Sequence, residues 1–113
     1  MNECIFCSII NKKIKTDMVY EDRDFIVIKD IKPIAKRHYL VIPATHYAGL
    51  ADMTVFDANT LGAIMKKIPE IVQSLGITDG YRLIINQGED AGQTVHHMHI
   101  HLLAGQKMSF TVD

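Results

Sequence analysis

Residues 95–103 read Val95-His96-His97-Met98-His99-Ile100-His101-Leu102-Leu103, and the period of this stretch decides how the rest of the chain is to be read. On a strand, successive side chains face opposite sides, so His97, His99 and His101 share one face and Met98, Ile100 and Leu102 the other. The apolar set marks a core face, and parity places His96 with it, near the strand's edge. At ~3.3 Å per residue His97 and His101 stand about 13 Å apart, too far for one metal ion to bind all three imidazoles through bonds of ~2.0–2.1 Å. A strand that merely faced water would not need three histidines at strict alternation beside a glycine-bearing loop. The face is read as a chemical one.

Working outward, Gln87–Thr94 is that loop, and Tyr81–Asn86 before it is a strand with an aliphatic centre at Leu83-Ile84-Ile85, entered through the Asp79-Gly80 turn. Leu61, Ile64, Met65, Ile68, Val72 and Leu75 recur at helical spacing, which predicts one long helix ended by Gly76. Pro69 should kink or weaken it, because proline removes a donor and crowds the preceding turn. Earlier still, His38–Pro43, Asp24–Lys29 and Asp17–Glu21 read as strands, the last two forming a hairpin around Asp22-Arg23, and Phe6–Ile14 as a short helix. Strands flanking one major helix imply a single α+β domain over residues 1–113, with an antiparallel sheet of about five strands, one long helix and one short one.

Composition agrees with one soluble domain and narrows its business. The 113 residues can bury one core but not two, and no repeat or linker divides them. Twelve basic residues against thirteen acidic ones leave no positive field for nucleic acid or anionic lipid. No stretch approaches the ~20 apolar residues of a membrane span, and the N-terminus lacks the pattern of a secretory signal. With only two cysteines no disulfide framework can be inferred, so a cytoplasmic protein is expected.

The motif His97-Met98-His99-Ile100-His101-Leu102-Leu103 resembles the signature of the histidine triad family, His-φ-His-φ-His-φ-φ with φ hydrophobic. The resemblance covers nearly the whole chain, through Ile5-Phe6, Asp30-Ile31, His38-Tyr39-Leu40-Val41-Ile42-Pro43, Asn86 and Gly92-Gln93-Thr94-Val95. It is nearest the HINT-like nucleotide-binding branch, which implies a homodimer with paired sheets and hydrolysis of purine nucleoside 5′-phosphoramidates to the monophosphate. The chemistry suits an imidazole, which is unprotonated enough at neutral pH to attack phosphorus and divide one displacement into two. The resemblance makes His99 the nucleophile and lets His101 contact phosphate or assist proton transfer, where related nucleotidyl transferases carry Gln. His97 completes the catalytic set and His38 supports it. Asp30 matches the position that binds ribose hydroxyls; Ile5, Phe6, Ile9, Ile28 and Ile31 match the apolar wall around the base. Asn86, Gly92, Gln93, Thr94 and Val95 match the phosphate loop, in which Thr94 stands where relatives often have Ser. Read without the resemblance, the aliphatics are core, Gly92 is a turn residue, Asn86 a strand cap and Asp30 a turn former.

Cys4-x-x-Cys7 is a second constellation. Two thiolates so spaced can chelate Zn²⁺ when two histidines complete a tetrahedron, and they can equally be two buried thiols or a redox pair. By resemblance to zinc-bearing relatives, His46 and His97 are the other ligands, and the zinc is structural, tethering the N-terminal segment to the sheet. His96, where relatives often carry Tyr, is expected to pack or hydrogen-bond. Phe110 stands where a HINT-like enzyme often has Trp, in a short C-terminal segment that bears on leaving-group choice. Two other activities fit the same residues: hydrolysis of dinucleoside polyphosphates, and a zinc-containing nucleotide-binding or interaction module whose hydrolysis is incidental.

Overall fold

A computed structural model describes residues 4–112. Two helices and five strands follow one another as α1 (Ile5–Ile10), β1 (Met18–Glu21), β2 (Phe25–Lys29), β3 (Arg37–Pro43), α2 (Val55–Ser74), β4 (Tyr81–Ile84) and β5 (Ile100–Ala104). The strands form one antiparallel sheet in the order β1-β2-β3-β5-β4. This is the expected α+β architecture, and among the described residues no helix is long and apolar enough to cross a membrane.

Alternation divides the sheet's side chains between its faces. Phe25, Val27, Tyr39, Val41, Ile100 and Leu102 pack with Met98 against Ile64, Ile68, Ile71 and Val72 of α2. On the opposite face Ile26, Ile28, Leu40 and Ile42 pack against Phe6 and Ile9 of α1. Because both faces of β2 are covered, Phe25-Ile26-Val27-Ile28 is a continuous apolar run and not an alternating one.

The ends of α2 carry their own signals. Thr54 accepts from the Asp57 N–H while the Asp57 carboxylate accepts from the Thr54 N–H, a reciprocal cap at the start. At the end Gly76 has φ 75°, and the pair of bonds Gly76 N–H to Gln73 O and Ile77 N–H to Val72 O closes the last turn. The helix is continuous through Pro69, the position expected to kink or weaken it. Pro69 lies on the exposed face, where water can serve the carbonyl that its missing N–H leaves without a donor.

A larger departure concerns the histidine segment. The ladder begins only at Ile100, paired with Val41, so residues 95–99 are not part of a strand. Continuing the register would set Met98 against Pro43, which has no N–H to give. Instead the Met98 N–H bonds to Tyr47 O at 2.7 Å, and the Pro43 carbonyl accepts from the His97 ring at 2.8 Å. The inferred division of faces survives outside the ladder. Met98, Ile100 and Leu102 enter the α2 core, while the rings of His97 and His99 meet Phe6 on the α1 side. His96 is exposed, which corrects the packing role expected for it.

Candidate active site

His99 sits at the mouth of the histidine segment, half-buried, with its ring edge-on to Phe6 at 5.1 Å and to His101 at 5.2 Å. Its Nδ1 lies 2.8 Å from the carbonyl oxygen of His97. A carbonyl only accepts, so Nδ1 carries the proton, and in the neutral ring the lone pair is at Nε2. This arrangement prepares an imidazole to act as a nucleophile through a single, directed atom.

His97 is fully buried, and its own ring does different work. Nε2 donates to Pro43 O, leaving Nδ1 bare, and Nδ1 faces Cys4 Sγ at 3.4 Å, Cys7 Sγ at 3.6 Å and His46 Nδ1 at 3.1 Å. His46 Nδ1 in turn stands 3.5 Å from Cys4 Sγ and 3.3 Å from Cys7 Sγ. A tetrahedron built on Zn–S of ~2.3 Å and Zn–N of ~2.0–2.1 Å has edges of ~3.5 Å between sulfur and nitrogen and ~3.3 Å between nitrogens. The observed separations match those edges within a few tenths of an ångström. Cys4 also caps α1, its Sγ accepting the Cys7 N–H at 3.1 Å. The four side chains therefore fit one tetrahedral ion, and the Pro43 carbonyl orients His97 as a ligand's outer hydrogen bond does. With Nε2 bonded to Pro43 O and Nδ1 turned toward the cysteine pair, His97 meets His99 through its carbonyl.

At the other side of His99, His101 Nδ1 is 2.9 Å from His38 Nε2, which also approaches Asp30 Oδ2 at 3.3 Å. The His38 Nδ1 accepts the Ile34 N–H at 3.1 Å. Burial is the largest influence on both rings and holds them below the ordinary imidazole value. For His101 the neighbouring His99 and His38 act in the same direction, and for both rings Asp30 opposes it. His97 is held low in the same way, chiefly by burial and then by His46 and His99, against the pull of the Pro43 carbonyl.

The model of a family described as scavenger mRNA decapping enzyme C-terminal binding matches residues 3–112. Protein HitA of Neisseria gonorrhoeae is 44% identical over 103 residues, 91% of this chain and 96% of its own length. The solved HIT family hydrolase from Clostridium thermocellum superposes with a TM-score of 0.91 at 42% identity, covering 99% of this chain and 98% of that one. The chain belongs to the histidine triad family. A zinc-bound histidine triad family protein from Mycobacterium smegmatis is also similar, with a TM-score of 0.79, 36% identity and coverage of 97% and 82%.

Within this histidine triad fold the remaining candidates separate by exposure. Phe6, Ile9 and Ile28 are buried in the cluster under α1, so they shape the site from behind. Ile5 and Ile31, at 52% and 87% exposure, are the two of that apolar set open to a ligand. Asp30 is half-buried and accepts the Lys32 N–H through Oδ1 at 2.7 Å, which orients its carboxylate. Gly92 has φ 86° and closes the short 3-10 turn Glu89–Ala91, a conformation that requires glycine. Gln93 donates to Ala48 O and Val95 O and accepts the Gly88 N–H, so its amide braces the loop and does not point to a ligand. Thr94 is exposed, Val95 packs against the α1-side cluster, and Asn86 is half-buried just after β4.

The groups that sequence reasoning missed are all main-chain: the carbonyls of Pro43, Tyr47 and His97 and the N–H of Ile34. Residue identity carries no signal for them.

Proposed function

We propose that the protein is a nucleotide hydrolase that cleaves purine nucleoside 5′-phosphoramidates to the nucleoside monophosphate through a covalent nucleotidyl intermediate on His99. The observation that carries this reading is the 2.8 Å bond from His99 Nδ1 to the His97 carbonyl, which leaves Nε2 as an in-place nucleophile beside a second neutral imidazole. The Nε2 lone pair attacks phosphorus, the phosphorus–nitrogen bond breaks with its electron pair leaving on the amine nitrogen, and that nitrogen takes a proton from His101 or from solvent. Water then attacks the same phosphorus, the bond to Nε2 breaks, and His99 is restored. His101 meets the phosphoryl oxygens or the leaving group. Gly92 and Thr94 line the loop beside them, Asp30 takes the ribose hydroxyls, and Ile5 and Ile31 flank the base.

Zinc on Cys4, Cys7, His46 and His97 supplies no chemistry in this scheme; with four protein ligands it is a structural tie between α1 and the histidine segment. The similarity to a zinc-bound relative supports that assignment. We also read the protein as a cytoplasmic homodimer that pairs along β4, one of the sheet's two edge strands, whose Leu83 and Ile84 are only half-buried in one chain.

Rapidly quenched turnover of adenosine 5′-phosphoramidate, followed by peptide mass spectrometry, should find a nucleotidyl mass on His99. His99→Ala should lose at least about 10³-fold in kcat while still binding AMP. Undiminished turnover in that variant would remove His99 from the mechanism. Higher kcat/KM on dinucleoside polyphosphates would move the substrate class, and AMP binding without turnover on any of these substrates would leave a binding module.

A further inference from the structure

The hydrogen bonds around His38 run in one direction only. A main-chain N–H cannot accept, so the 3.1 Å contact from Ile34 N to His38 Nδ1 requires that nitrogen to be bare. His38, neutral and buried, then holds its single proton on Nε2. That proton faces His101 Nδ1 at 2.9 Å and, less closely, Asp30 Oδ2 at 3.3 Å, so His101 Nδ1 is an acceptor. A neutral His101 must then be protonated at Nε2. We infer that the Ile34 N–H, acting through His38, sets the tautomer of His101 so that it enters the reaction as a hydrogen-bond donor at Nε2 and not as a base. The reaction step served by that donor rests on the hydrolase reading above. His38 is thus a positioning residue: it fixes which nitrogen of His101 carries hydrogen and leaves its own ring away from the substrate.

The same bond removes another interpretation of this group. Asp30, His38 and His101 bring three potential metal-ligand atoms within 4.8 Å of one another. A neutral imidazole that binds a cation through Nε2 must carry its proton on Nδ1, where it would meet the Ile34 N–H head-on. The cluster is consequently a hydrogen-bonded relay of orientation and not a second metal site.

Long-range ¹H–¹⁵N correlation spectra of the ¹⁵N-labelled, zinc-loaded protein, recorded without nucleotide, test the tautomers directly. His38 and His101 should both show the Nε2–H pattern. A His101 protonated at Nδ1 would overturn the inference. In Ile34→Pro, which lacks the N–H, the His38 and His101 patterns should shift toward mixed tautomers, whereas Ile34→Ala should preserve them; unchanged patterns in the proline variant would also overturn it. Where the hydrolase assay is active, His38→Phe should lose about 10²-fold, mostly in kcat with little change in KM. His38→Gln, whose amide can donate from the position of Nε2, should regain roughly tenfold of that; equal losses in the two variants would count against the donor role. The spectra stand whether or not phosphoramidates prove to be the substrate, so a failure of this inference is distinguishable from a failure of the hydrolase reading.

Discussion

Two clusters of ligand-type side chains flank His99, and they differ in what meets the second nitrogen of one histidine. In the first, the ring of His97 donates from Nε2 to the Pro43 carbonyl, which bares Nδ1 toward two cysteine sulfurs and His46. In the second, the ring of His38 receives the Ile34 N–H at Nδ1, which places hydrogen on Nε2 toward His101 and Asp30. An acceptor behind a histidine makes it a ligand; a donor behind it makes it a donor in front. Each cluster brings its ligand-type atoms within 4.8 Å of one another, and in each a single backbone atom sets which nitrogen of one ring faces the group. His99 belongs to the first kind by the same logic, with a carbonyl behind it and a bare nitrogen in front. On the mechanism proposed above, that bare nitrogen is the nucleophile.

The strongest way to break this contrast is to remove ligands from each cluster and compare. Cys4→Ser combined with Cys7→Ser should lower the metal content from about one zinc per chain to near zero and destabilise the fold by at least about 3 kcal/mol, because binding free energy is folding free energy at such sites. His38→Gln should change neither zinc content nor melting temperature by a comparable amount. Elemental analysis with thermal unfolding decides it, and a wild-type protein that purifies without zinc and is insensitive to chelators would end the distinction.

A smaller effect is expected at the seam. Phe6 presents its ring to His97 at 5.8 Å and to His99 at 5.1 Å, joining α1 to the segment that both clusters flank. Phe6→Leu keeps most of the apolar volume and loses the aromatic edge contacts, so it should cost about 1 kcal/mol in denaturant unfolding. A neutral substitution there would mean that α1 is held chiefly by its cysteines.

The smallest effect is the acid response of the second cluster. His38 and His101 have native values below the ordinary 6.5, so the unfolded chain binds more protons and stability rises with pH through that interval. As pH falls below about 6.5 toward the native values, their contribution should be lost progressively. His38→Gln should flatten part of that slope, which urea titrations at a series of pH values would measure; an unaltered slope would assign acid sensitivity to other groups.

Much of this organisation is legible in residue types. The alternation of Met98, Ile100 and Leu102 with His97, His99 and His101 predicted the two faces, and both were found even where the ladder is absent. Cys4-x-x-Cys7 marked the metal-type cluster, and Asp24–Lys29 a strand, which forms over Phe25–Lys29. Other readings failed for local reasons. The histidine strand was read five residues too early because its termination is caused by a proline on the neighbouring strand. His96 was placed inside by strand parity, which does not apply to a segment outside the ladder. Gln93, matched by resemblance to the phosphate loop, turns its side-chain amide to the carbonyls of Ala48 and Val95, partners that no spacing in the sequence indicates.

Periodicity and side-chain chemistry thus establish the sheet, its two faces, the triad and the donor set for a metal, because each is a local property of which residues stand at which spacing. Which nitrogen of each imidazole is protonated belongs to the tertiary structure. The deciding partners are main-chain atoms of Ile34, Pro43 and His97, and a carbonyl or an N–H is present at nearly every position of any chain. Only folding selects which one lies about 3 Å behind a given ring, and that selection sets which nitrogen is bare and which carries hydrogen among histidines that are chemically identical in the sequence.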